Sequence, residues 1–438
     1  MKYFSTSQQS PLADFREATI RGQAPDKGLY FPEKIPVLPK SFFDNLDLLS
    51  REEIAYQVIR PYVGGTIPDD ILKEIVCGTI NFDFPLVTVT DQISALELFH
   101  GPTLAFKDVG ARFMSRCLAY FVQHNKQRLT VLVATSGDTG GAVAGGFYEV
   151  EGVDVVILYP AGKVSSVQEL QLTTWGGNIT ALEVSGNFDD CQRMVKQAFA
   201  DEELNRQLFL TSANSINVAR WLPQQFYYFF AYQQWKDEQP PVISVPSGNF
   251  GNICAGMLAH ASGLPVQHFI AACNANNTVP AYLQTGDYAP KTAVATLSNA
   301  MDVGNPSNFS RILEIFQQQF SSLKKGLSSY SISDTQTRET IRTVYAGNNY
   351  LLDPHGAVAY YALRDYLQQH PEQKGYFLGT AHPVKFYDVV EPVISQSIPL
   401  PASIEVLMNK DKQRTHIKTE YAALKDFLLA KTGGVPAT

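Results

Sequence analysis

At 438 residues the chain exceeds one ordinary core and, at roughly 150 residues per domain, implies two or three. Its 45% hydrophobic and 18% charged residues are those of a globular protein, not a disordered one. The formal net charge is -7, Lys and Arg are scattered, and no apolar run approaches the ~20 residues that span a bilayer; a nucleic-acid partner and a membrane partner are therefore not expected.

The first 14 residues are polar and lack the apolar stretch of a secretory signal, so a cytoplasmic protein is expected. Cys77, Cys117, Cys191, Cys254 and Cys273 are odd in number and widely spaced, which fits reduced thiols. No Cys-x-x-Cys and no His-x-x-x-His pair occurs, so no metal site is suggested.

Residues 1–90 are irregular, with Pro25, Pro32, Pro36 and Pro39, then helical patterns at 51–63 and 69–76. They predict a small helical N-terminal domain. The first chemically suggestive stretch is HGPTLAFKDVGAR, 100–112, where Lys107 lies among Leu104, Ala105, Phe106 and Val109. A lysine in apolar surroundings is a candidate for a depressed pKa and covalent chemistry, but by spacing alone an ordinary solvated lysine beside Asp108 explains it too.

From residue 129 short β-branched runs alternate with helical stretches: LTVLVA at 129–134, VDVVILY at 153–159, a helix at 165–175, a strand at 179–184 and a helix at 188–200. That alternation predicts a parallel sheet covered on both faces. Between its first two members lies TSGDTGG, 135–141, whose hydroxyls and backbone N–H groups suit a carboxylate; a plain helix N-cap by Ser136 or Asp138 is the competing explanation. An aromatic-rich helical segment, 218–235, joins this lobe to a second one.

In the second lobe ISVPSGNFGNICA, 243–255, reads as strand, Gly-rich turn and helix N-terminus. Such a turn lets backbone approach an oxyanion and aims free N–H groups at it, so it suits a phosphate; a tight turn holding nothing remains open. It has neither the Lys-Ser/Thr ending of a P-loop nor the dinucleotide G-x-G-x-x-G spacing. Further strands are expected at 266–272 and 376–379, and a partly helical tail after 400. The whole predicts an α/β enzyme with two lobes, 91–220 and 221–438, after the N-terminal domain, 1–90.

Five motifs in order, HGPTLAFKD, TSGDTG, VPSGNFGN, LSNAMDVGNPSN and GTAHPVKF, with GLYFP at 28–32, resemble the threonine synthase family in its longer, enterobacterial- and yeast-like branch. These are pyridoxal-phosphate (PLP) enzymes with a tryptophan-synthase-β-like fold, and the resemblance covers nearly the whole chain. It implies that Lys107 holds PLP as a Schiff base. Gly248, Asn249, Phe250, Gly251 and Asn252 correspond to the loop around the cofactor phosphate, and Thr380 to the hydroxyl at its pyridine nitrogen. Ser136 and Thr139 would grip the substrate carboxylate; Asn214, Ser215 and Arg220 would take the phosphate of the substrate, O-phosphohomoserine. Without the resemblance, Arg220 reads as a surface helix arginine. Asp138 departs from the Asn of many relatives, whose amide donates to the cofactor's phenolic oxygen. An ionised Asp cannot donate, so Asp138 is either protonated or indirect.

The resemblance implies conversion of O-phosphohomoserine and water to threonine and phosphate. A phospho-lyase giving 2-oxobutyrate from the same substrate shares these residues, and a catalytically silent relative would have lost them. Dehydratases and sulfhydrylases of this fold lack HGPTLAF and TAHP. A monomer and a homodimer are both compatible.

Overall fold

The computed structural model describes residues 1–123 and 127–432; residues 433–438, the end of the expected second lobe, lie outside the described residues. Thirteen strands occur among them. They are β1 (Tyr3–Ser5), β2 (Tyr30–Pro32), β3 (Leu86–Thr88), β4 (Ile93–Glu97), β5 (Leu129–Ala134), β6 (Val153–Pro160) and β7 (Ile179–Val184). Then follow β8 (Phe209–Ser212), β9 (Val242–Pro246), β10 (His268–Cys273), β11 (Leu327–Ser331), β12 (Gly375–Gly379) and β13 (Thr415–Ile417).

Two sheets carry the architecture. One runs β13-β7-β6-β5-β8, all parallel. The other runs β11-β10-β9-β12-β4-β3, parallel except for the antiparallel edge pair β3–β4. Every residue of β5, β9 and β12 is buried, as expected for strands covered on both faces. The chain is thus the expected α/β fold with two mainly parallel sheets and an N-terminal region of its own.

Several short elements were not foreseen. β1 and β2 pair into an antiparallel ribbon, and β13, in the stretch expected to be a partly helical tail, returns to the edge of the five-stranded sheet beside β7. Strands of three residues carry too little periodicity to be seen in sequence. The 218–235 segment is three pieces, Val218–Trp221, a 3-10 turn at Leu222–Gln225 and Phe226–Gln234. The last reads FYYFFAYQQ and is buried over its first six residues, because it is apolar on every face. Its neighbour Trp221 stacks on Phe31, with centroids 5.8 Å apart, so the N-terminal region is cemented to this segment by aromatic packing.

Candidate active site

In a parallel sheet ligands gather beyond the carboxyl ends of the strands. Five such ends meet here: β4 leads to Lys107, β5 to residues 135–141, β8 to 213–220, β9 to 247–252 and β12 to 380–386.

Lys107 opens the helix Lys107–Val122. The segment before it is laced to the end of β12: Leu98 N–H donates to Gly379 O at 2.9 Å, His382 N–H to Leu104 O at 3.0 Å and Phe106 N–H to Thr380 O at 2.9 Å. These bonds set Lys107 beside Thr380. Asp108 turns away from Lys107 and takes Thr103 N–H at 2.9 Å and the Thr103 hydroxyl. The solvated pair of Lys107 with Asp108 is therefore not what the structure has. Burial pulls the Lys107 amine down to about 8, against the attraction of Asp138 and with help from the charges of Lys385 and Arg220. The residue as a whole is half-buried.

Asp138 is buried and ionised. Burial alone would raise its pKa, but Lys385 and Lys107 hold it well below the usual carboxylate range. Its Oδ1 lies 2.8 Å from Lys385 Nζ and accepts from Gln168 Nε2 at 3.0 Å. Gln168 is oriented by the start of its own helix. There Ser165 and Gln168 form a reciprocal capping box, Gln168 Oε1 accepting from Ser165 N–H, so the amide's NH2 end faces Asp138. Both donors act on Oδ1 and favour the ionised form of Asp138, in line with the indirect alternative. Lys385, in Pro383–Phe386, is fully buried and also donates to Thr103 O at 2.9 Å. It was present in GTAHPVKF but given no role, because its partners lie far away in sequence.

Neither Ser136 nor Asp138 caps the helix Asp138–Phe147. The Thr135 hydroxyl does so instead, accepting from Gly137 N–H and Gly140 N–H at 2.9 Å each. Ser136 and Thr139 are half-buried, on the open side of this turn. Gly137 has φ 137°, and a Cβ there would lie 2.4 Å from the Gln168 side chain, so no other residue fits.

The β9 turn carries strain. Phe250 sits in the left-handed region at φ 61°, uncommon for a bulky residue and costing about 1–3 kcal/mol. Its ring packs edge-on against Phe309. Asn249 Nδ2 donates to Ser215 Oγ at 2.6 Å, and Asn249 Oδ1 accepts from Ser307 N–H at 2.6 Å. Asn252 Nδ2 donates to Pro246 O at 2.9 Å, closing the turn. At the start of the helix Gly251–Ala261, Ile253 N–H donates to Asn252 Oδ1 at 3.0 Å, and no side chain caps the helix. Ser215 thus adjoins the 248–252 turn.

Arg220 is buried, 3% exposed, and not a surface arginine. It packs against Gly110 of the Lys107 helix and donates from Nη1 to Ala213 O. Burial lowers it to about 10, partly offset by Asp108, so it stays charged at neutral pH. Among the described residues Arg220 Nε and Asn214 Oδ1 are buried without a hydrogen-bond partner. Arg311 is a further cation that sequence reasoning missed. It donates to Tyr30 O at 3.1 Å, Asn308 Oδ1 at 2.7 Å and Ile216 O at 2.6 Å, and lies over the Trp221 ring. An arginine in a short helix gives no sequence signal of such burial.

An acidic protein thus gathers Lys107, Arg220 and Lys385 against Asp108 and Asp138. An amine with a depressed pKa, a glycine turn at a helix start and unpartnered polar atoms fit an aldehyde cofactor with an anionic tail. Fold and site define a PLP-dependent enzyme, and the profile described as "Pyridoxal-phosphate dependent enzyme" matches residues 91–377. The profiles "Threonine synthase N terminus" and "Threonine synthase, C-terminal" match 2–79 and 356–428. The threonine synthase of Serratia marcescens is 44% identical over 442 aligned positions, covering 100% of both chains. The crystal structure of threonine synthase from Escherichia coli superposes with TM-score 0.92 at 42% identity, covering 98% of this chain and 100% of that one. PLP-bound threonine synthase from Brucella melitensis gives TM-score 0.92 at 34% identity, covering 99% of each. The chain belongs to the threonine synthase family.

Proposed function

We propose that this enzyme converts O-phospho-L-homoserine and water to L-threonine and phosphate, with Lys107 as cofactor-bearing lysine and proton carrier. The observation behind this reading is the meeting of Lys107, Asp138, Thr380 and the 248–252 turn at strand ends from both sheets. Gly248, Asn249, Phe250, Gly251 and Asn252, with Ser215 beside them, would hold the PLP phosphate at the helix start. When bound, PLP supplies an electron sink for the substrate's α-carbon. Thr380, a hydroxyl and not a carboxylate, would leave the ring nitrogen unprotonated, which disfavours transamination.

Ser136 and Thr139 line the open side of the β5 turn and bind the substrate carboxylate. Arg220, with its unused Nε–H, and Asn214 bind the substrate phosphate; a buried guanidinium is a strong partner for a dianion. Lys107 Nζ, in the neutral form that its burial favours, takes a proton from the α-carbon. The overall change removes hydrogen from the β-carbon and places hydroxyl there, while the γ-carbon gains hydrogen and loses phosphate. One amine on one face serves these proton transfers. A cytoplasmic enzyme, monomer or homodimer, fits the five free cysteines, four of them buried.

The test follows phosphate, threonine and 2-oxobutyrate in parallel from O-phosphohomoserine. Threonine and phosphate should appear one for one; 2-oxobutyrate in place of threonine would overturn the reading. Lys107→Ala should lose turnover and the visible absorbance of lysine-bound cofactor, and retained turnover would end its assignment.

A further inference from the structure

The cleft holds two lysines, Lys107 half-buried and Lys385 fully buried, and only Lys107 has been given a task. Lys385 follows β12, the neighbour of the β4 that leads to Lys107, and reaches the same carboxylate: its Nζ lies 2.8 Å from Asp138 Oδ1 and 2.9 Å from Thr103 O. It is fully buried, so its charge is not shared with solvent. Asp108, the other acid near Lys107, is occupied by Thr103 N–H and the Thr103 hydroxyl. Both carboxylates around Lys107 are therefore engaged before it competes for them.

We propose that Lys385 is a positioning residue for this enzyme: its ammonium is the standing counter-ion of Asp138 and so leaves Lys107, the second amine in the pocket, without a carboxylate of its own. Two amines facing one carboxylate cannot both be neutralised by it. The one at hydrogen-bond distance and fully buried holds it. Lys107 is left facing the Asp138–Lys385 pair, which is neutral overall, and the charge of Arg220. Lys385 in turn faces Asp138 and Asp108, with His382 on its own segment. Gln168 strengthens the arrangement by donating to the same Asp138 oxygen. Asp138 is thus kept as an acceptor, and the device needs Asp and Lys together.

The inference rests on Lys107 being the cofactor-bearing lysine, and the two fail separately. Hydride reduction of the PLP-loaded parent followed by peptide mass analysis should put the cofactor on residue 107; its absence there sinks that assignment. With it in place, the visible absorbance of the loaded full-length protein is titrated with pH. In Lys385→Met the midpoint should rise by about one pH unit or more, because Asp138 then faces the Lys107 nitrogen alone. Asp138→Asn should lower it, and Lys385→Arg, which keeps the charge, should restore the parent value. A midpoint in Lys385→Met that is unchanged or lower overturns the proposal. Should that variant fail to fold, having a buried carboxylate without partner, the double variant Asp138→Asn with Lys385→Met decides. A midpoint close to the parent's supports a self-neutralising pair. A fall as large as that of Asp138→Asn alone makes Asp138 the counter-ion of Lys107 and refutes it.

Discussion

Replacing Gly248 with alanine would place a methyl carbon 2.6 Å from Met301 Cα and 3.0 Å from Ala300 O. Carbon atoms in contact prefer about 3.5–4.0 Å, so turn and loop would have to part by about 1 Å. Neither neighbour yields easily. Both are backbone, and the loop is tied by Ala300 N–H to His355 Nε2 at 3.2 Å and by Met301 N–H to Ser298 O at 2.9 Å. Overpacking of this kind costs about 1–3 kcal/mol. Borne by the cofactor turn, it weakens PLP affinity about 5- to 140-fold, at about 1.4 kcal/mol per decade. The assay is spectral titration of cofactor-free chain with PLP, alongside Gly347→Ala. Gly347 has nothing within 4 Å of its would-be Cβ and lies in the helix Asp334–Asn348, so alanine there should stabilise by about 0.4–1 kcal/mol and leave affinity alone. Parent-like affinity in Gly248→Ala would refute the idea that the turn is pressed against its neighbour.

The pH dependence of cofactor capture follows from Lys107. Because the neutral amine is the nucleophile and its pKa is drawn down to about 8, capture by cofactor-free protein should rise with pH and level above about 8. A rate still climbing near about 10.4, as for a free lysine, would contradict this. The same shift means the folded chain binds fewer protons than the unfolded one between those values, so this group adds stability as pH rises through the window. Arg220→Ala should lower kcat/KM about 10- to 150-fold, the loss of a charged hydrogen-bonding partner, mostly through KM and with PLP affinity kept. An unchanged kcat/KM removes Arg220 from the site.

What the sequence made readable was what is local. The buried runs around 129–134 and 242–246, each followed by a glycine turn, announce parallel strands with ligand ends, and the helix at Phe188–Ala200 follows from its own pattern. Arg220 and Lys385 were opaque because burial is a property of the assembled fold; Lys385 and Thr103 meet across 282 residues of chain. Asp138 is the instructive case. Its identity was legible, but its ionisation depended on which amine and which amide would face it. Even so, one hint existed in Ser165-x-x-Gln168, since a capping box fixes which end of the glutamine is free.

Arg311 has no carboxylate among its hydrogen-bond partners; its charge rests on three oxygens from three separate stretches of chain. One of these, Tyr30 O, belongs to the first eighty residues, whereas Asn308 holds Asn249 O and Ile216 adjoins Ser215. Shortening the protein to begin near residue 80 would therefore not simply remove a neighbouring module. It would uncover a guanidinium behind the phosphate turn, let water reach it, and dilute the positive potential that a net-negative protein has to concentrate there. The opening segment is in this sense a wall of the proposed anion site, built from a different part of the chain.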